Sequence, residues 1–130
     1  MKLFIGYATS EGQTRKIMRH IADRLVDGGH SAEWVALKDA AEVDLKRFDG
    51  ALLGGSLHIG HYQKELSEFA SDNAEVLSAM PTLMVSVSLA AAGHDAEDWR
   101  ALETILTDFI DATGWTPGQV LQVAGAYEPS

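Results

Sequence analysis

Cysteine is absent from this chain of 130 residues. Disulfides, thiolate metal ligands and cysteine nucleophiles are thereby excluded, and a cytoplasmic location is expected. No apolar run approaches the ~18 residues of a membrane-spanning helix, and the N-terminus lacks the apolar core and small-residue cleavage site of a signal peptide. Cations are scarce: ten Lys and Arg face nineteen Asp and Glu, for a net charge of -9. That balance speaks against nucleic acid as the main partner. The shortage is worst late in the chain. After Lys64 only Arg100 stands against eleven acids, so residues 1–64 carry +1 and residues 65–130 carry -10. The acidic half reads as a solvated face that aids solubility, or else as a docking face for a basic redox partner. There is no His/Asp/Glu cluster at metal-ligand spacing and no nucleophile–base motif, so no metal site is expected.

What is present is the pattern of one globular domain over residues 1–130, with 46% hydrophobic and 22% charged residues. Short apolar runs at 2–7, 33–37, 51–55, 82–88 and 119–124 read as five strands. Between them, 14–27 and 97–113 show helical periodicity. In the first, Ile17, Ile21 and Leu25 recur every four residues before Gly28-Gly29; in the second, Trp99, Leu102, Leu106, Phe109 and Ile110 form one face before Gly114. Residues 62–77 read as a third helix, and 39–46 as a short helix or turn. Strands alternating with helices predict a parallel sheet covered on both faces.

In an open parallel sheet, ligands bind beyond the carboxyl ends of the strands. Four loops lie there. The first, Thr9-Ser10-Glu11-Gly12-Gln13-Thr14, opens a helix, where unpaired N–H groups and the helix dipole favour an anion. It lacks the triphosphate-binding G-x-x-x-x-G-K-[ST] and the dinucleotide G-x-G-x-x-G. A monophosphate held by neutral donors remains, with simple capping by Thr9 or Ser10 as the competing reading. The other loops are Gly54-Gly55-Ser56-Leu57-His58-Ile59-Gly60-His61-Tyr62, Ser86 to Gly93, and Gly125-Ala126-Tyr127. They are small, hydroxyl-rich and uncharged, which suits a flat, largely neutral ligand. His61 and Tyr62 are candidates for a direct chemical role. Capping by the histidine and core packing by the tyrosine are the alternatives.

Thr-x-x-Gly-x-Thr after the first strand resembles the flavodoxin phosphate loop. Gly-Gly-Ser-Leu-His-Ile-Gly-His-Tyr at 54–62 resembles a narrower group, the menaquinone-dependent protoporphyrinogen oxidases, whose sequences look like G-A-S-I-R-Y-G-H-Y there. Glu11-Gly12-Gln13-Thr14 is similar to their D-G-Q-T, and Met80-Pro81, Ser86-Val87-Ser88-Leu89-Ala90 and Val123-Ala124-Gly125-Ala126 match further. The resemblance implies a flavodoxin-like α/β three-layer sandwich whose five parallel strands run in the order 2-1-3-4-5. It implies FMN, with Thr9, Ser10, Glu11, Gly12, Gln13 and Thr14 at the phosphate. Ser56, Leu57, His58, Ile59, Gly60 and His61 would line one side of the flavin, and Ser86, Val87, Ser88, Leu89, Ala90 and Gly125 the other. His61 and Tyr62 would be the catalytic pair, orienting substrate or relaying protons.

The implied activity lies in heme biosynthesis. Electrons pass from a porphyrinogen through FMN to a quinone, or, in a flavodoxin-type carrier, between redox proteins. The family continues past the fifth strand into a basic, aromatic loop and a final helix. This sequence reaches Ser130 without them, so the last helix is expected to be missing, and a truncated form or a homo-oligomer to supply its cover. Contact with the inner membrane face gains no support from the charge pattern.

Overall fold

Strand β1 (Lys2–Ala8) carries Phe4 and Ile5 side by side, and both are fully buried, one toward each face of the sheet. A strand buried on both faces must be central and covered twice. The computed structural model describes residues 1–8, 12–58, 60–88 and 96–124, with only the backbone at Gln13 and His58. Helix α1 (Gly12–Asp27) follows β1, and then β2 (Ser31–Ala36). Two 3-10 turns (Leu37–Asp39 and Leu45–Arg47) lead to β3 (Gly50–His58), β4 (His61–Tyr62), α2 (Lys64–Asp72) and α3 (Ala74–Ser78). The chain continues through β5 (Thr82–Ser88), α4 (Ala96–Thr113) and β6 (Gln119–Ala124).

The long strands pair in parallel in the order β2-β1-β3-β5-β6, while β4 folds back antiparallel on the end of β3. Setting aside that two-residue strand, this is the expected order of five. Helix α1 covers one face, where Met18 and Ala22 meet Ile5, Leu52, Val85 and Val87. Helices α2, α3 and α4 cover the other, where Leu66, Phe69, Leu77 and Phe109 meet Phe4, Leu53 and Met84. Gly54 makes room at the first contact. A Cβ there would run into the buried Met18 side chain, so a bare backbone lets α1 settle on β3 without displacing it.

Three expectations are corrected. The second strand is Ser31–Ala36 rather than 33–37, because its register follows β1 from Lys2 opposite Ser31. The expected helix 62–77 is two helices, with Tyr62 in β4. Asn73 divides them: its backbone and side-chain N–H groups both donate to Phe69 O (3.1 and 2.9 Å), while its carbonyl accepts from Leu77. Trp99 is 41% exposed instead of lying with Leu102 and Phe109 in the core. Periodicity marks a helix face but not where along it the sheet begins. Among the described residues no helix is long and apolar enough to cross a membrane.

Candidate functional site

Parallel pairing aligns the carboxyl ends of the strands. Ala8 pairs with Gly55, Gly55 with Ser86, Ser56 with Val87, and Ser88 with Ala124. The loops after β1, β3, β5 and β6 therefore leave from one edge of the sheet. Thr9, Ser10, Glu11, Ile59, Leu89, Ala90 and Gly125 lie outside the described residues.

Beyond β1, the start of α1 presents backbone N–H groups that no helical carbonyl can reach. Its first turn, Gly12, Gln13 and Thr14, has no acidic residue, and Thr14 is 1% exposed. The N–H groups of a helix's first turn and the positive end of its dipole favour an anion such as a phosphate monoester.

Beyond β3, the chain reverses through a hairpin that the sequence reading treated as a loop. His58 pairs with His61 and Leu57 with Tyr62, leaving two residues in the turn. Gly60 has φ +77°, in the left-handed region that favours glycine. His61 is exposed beside it. One step further down, the Gln63 carboxamide grips Ser56 twice. Its Oε1 accepts the Ser56 backbone N–H at 3.1 Å, and its Nε2 donates to Ser56 Oγ. This clamp fixes both arms of the hairpin just before α2 begins at Lys64. Gln63 was missed because it follows G-H-Y and looks like the start of a helix. The signal was its place opposite Ser56, visible only once the hairpin is paired.

Tyr62 occupies the core. It is 9% exposed, sits edge-on to Phe109 with ring centroids 5.2 Å apart, and its hydroxyl lies 2.7 Å from Ser86 Oγ. The Gln122 side chain, from β6, also acts on that hydroxyl in favour of its ionised form. Burial pushes the phenol above its ordinary value, and Ser86 and Gln122 pull it part of the way back. The side chain is thus a protonated strut between the hairpin, β5 and β6. Ser86 and Ser88 are buried on the same face of β5. Val87, between them, turns to the opposite face and packs beneath α1.

The first turn of α1, the β3–β4 hairpin and the end of β5 lie at the same edge of the sheet. The structure places Tyr62, Val87 and the fully buried Ser86 inside the packing rather than on the site's surface. Among the described residues no His/Cys/Asp/Glu group could hold a metal.

A flavodoxin-domain family model matches residues 4–129. The chain is 29% identical over 126 residues to protoporphyrinogen IX dehydrogenase [quinone] of Escherichia coli K12, covering 97% of this chain and 69% of that protein. It is 30% identical to the protein of the same name from Leishmania major, covering 96% of this chain and 54% of that one. Among solved structures, oxidised flavodoxin 2 from Bacillus cereus superposes with a TM-score of 0.69 at 23% identity, over 100% of this chain and 88% of that one. The fold, the strand order and the match over nearly the whole length place the chain in the flavodoxin-domain family.

Proposed function

We propose that this protein is an FMN-dependent oxidoreductase of the protoporphyrinogen dehydrogenase type, taking electrons from a porphyrinogen and passing them to a quinone. The observation that carries the reading is its similarity to the dehydrogenases, which runs across all the strands that form the site. FMN is the cofactor of the flavodoxin domain, and the donor set at the start of α1 fits its single phosphate. When bound, it supplies the two-electron redox centre between donor and acceptor.

Thr9, Ser10, Gly12, Gln13 and Thr14 hold the phosphate through hydroxyls and backbone N–H groups. Glu11 is not assigned to the phosphate; a negative charge at this position would favour the positive end of the α1 dipole. The hairpin residues Ser56 to His61 are assigned to one side of the flat ring system, and Ser88, Leu89, Ala90 and Gly125 to the other. Gln63 keeps the hairpin closed, and Tyr62 supports Ser86 from below. His61, exposed at the hairpin, is the side chain placed to orient substrate or move a proton.

Anaerobic mixing tests this reading. FMN-loaded protein should be bleached by protoporphyrinogen and restored by a menaquinone analogue. The second reading, a flavodoxin-type electron carrier, is favoured by the acidic second half of the chain. It predicts no bleaching by protoporphyrinogen, but reduction by a flavodoxin reductase through a stable one-electron state.

A further inference from the structure

On the outer side of α1, against the edge strand β2, lies a groove of about 470 Å³ lined by Arg15, Lys16, Arg19, His20, Asp23 and Trp34. Its charge runs against the rest of the molecule. Three permanent cations and one carboxylate stand together on a chain of net charge -9. Arg15 and Arg19 are four residues apart and project from one side of the helix. Each guanidinium is seated on an aromatic ring: Arg15 is 5.8 Å from the centroid of Tyr7, and Arg19 is 6.0 Å from that of Trp34. The two rings pack on each other at 4.7 Å. Long cationic side chains normally lose rotamer entropy when they bind; two held over fixed rings have lost part of it already. Asp23 engages Arg19 at 3.5 Å, while Arg15 and Lys16 have no ion pair among the described residues. Trp34 Nε1 adds a buried N–H without an acceptor.

We propose that this groove is a second binding site, separate from the flavin loops, for a small flat molecule bearing two or more carboxylate or phosphate groups. Guanidinium forks pair with such groups bidentately, Lys16 and His20 supply further donors, and Trp34 offers an apolar floor. The proposal does not depend on the redox reading, because none of these side chains belongs to the flavin loops.

Calorimetric titration tests it, with excess FMN present to occupy the phosphate loop and with ionic strength held constant. Pyrophosphate and citrate serve as probes. Saturable binding below millimolar is expected. The Arg15→Ala/Arg19→Ala double variant should weaken it at least ten-fold, and Lys46→Ala/Arg47→Ala, which removes two exposed cations elsewhere, should leave it unchanged. The proposal is overturned if sodium chloride reproduces the heats, or if the double variant binds as well as the parent. Binding confined to phosphatidylglycerol vesicles also overturns it, because the face would then be a membrane contact rather than a small-molecule site.

Discussion

The hydroxyl of Tyr62 and the Oγ of Ser86 are 2.7 Å apart, linking a two-residue strand to the buried end of β5. The bond joins residues 24 apart in sequence and lies directly under the loops assigned to the cofactor. Tyr62→Phe keeps the ring against Phe109 but leaves the buried Ser86 hydroxyl without this partner. A loss of about 1–3 kcal/mol is expected. Urea denaturation should show a lower midpoint at an unchanged slope, and a variant as stable as the parent would refute the strut.

The same hydroxyl predicts an alkaline response. The folded protein holds the Tyr62 proton above its ordinary value of 10.0, whereas the unfolded chain releases it there. The unfolded state therefore binds fewer protons as the pH rises beyond about 10, and stability falls until the folded-state value is reached. Below pH 10 this group contributes no slope. Stability measured from pH 8 to 11 should decline less steeply in Tyr62→Phe than in the parent.

Gln63 should matter beyond stability. Gln63→Ala frees the Ser56 N–H and hydroxyl, at an expected cost of about 1–3 kcal/mol. Because the hairpin turn hangs from this clamp, FMN affinity should fall as well. Gln63→Glu still offers an acceptor to both Ser56 groups and should retain most of that affinity. Fluorescence titration with FMN distinguishes the three proteins.

The seat of α1 can be tested by a double-mutant cycle. Gly54→Ala drives a Cβ into the fully buried Met18 side chain and should destabilise by about 1–3 kcal/mol. Met18→Ala removes the obstacle and is itself destabilising through the cavity it leaves. Together the two should cost less than the sum of their separate effects. Strict additivity would mean that the contact does not determine the approach of the helix.

Much of this architecture was legible because long elements announce themselves. The runs at 82–88 and 119–124 are rich in Val, Leu and Met and free of charge, Gly and Pro, and they are the strands observed. Parallel order then placed the loops at one edge. The hairpin was not legible: His58, Gly60 and His61 have the composition of a loop, and two ladder pairs are too short to leave a period. Nor was the break at Asn73, since Leu66, Phe69, Ala70 and Leu77 continue one apolar face across it. Tyr62 illustrates the remaining difficulty. A tyrosine beside a histidine reads as chemistry, but its surroundings (Phe109, Ser86 and Gln122) come from three other elements and exist only after folding.

The central place of β3 also sets how the chain must assemble. It can join β1 only after a long stretch of chain has been gathered in: the bond from the Lys2 N–H to Asp49, at 2.7 Å, spans 47 residues. The last crossover, from β5 to β6, is comparable, with the Gly118 N–H reaching Thr82 Oγ1 across 36. Each closure costs entropy before any ladder bond repays it. Helices α1 and α4 are local and can flicker into existence early, but the sheet between them forms through a few improbable encounters. Folding speed should therefore respond more to shortening the 37–49 connection than to strengthening any helix.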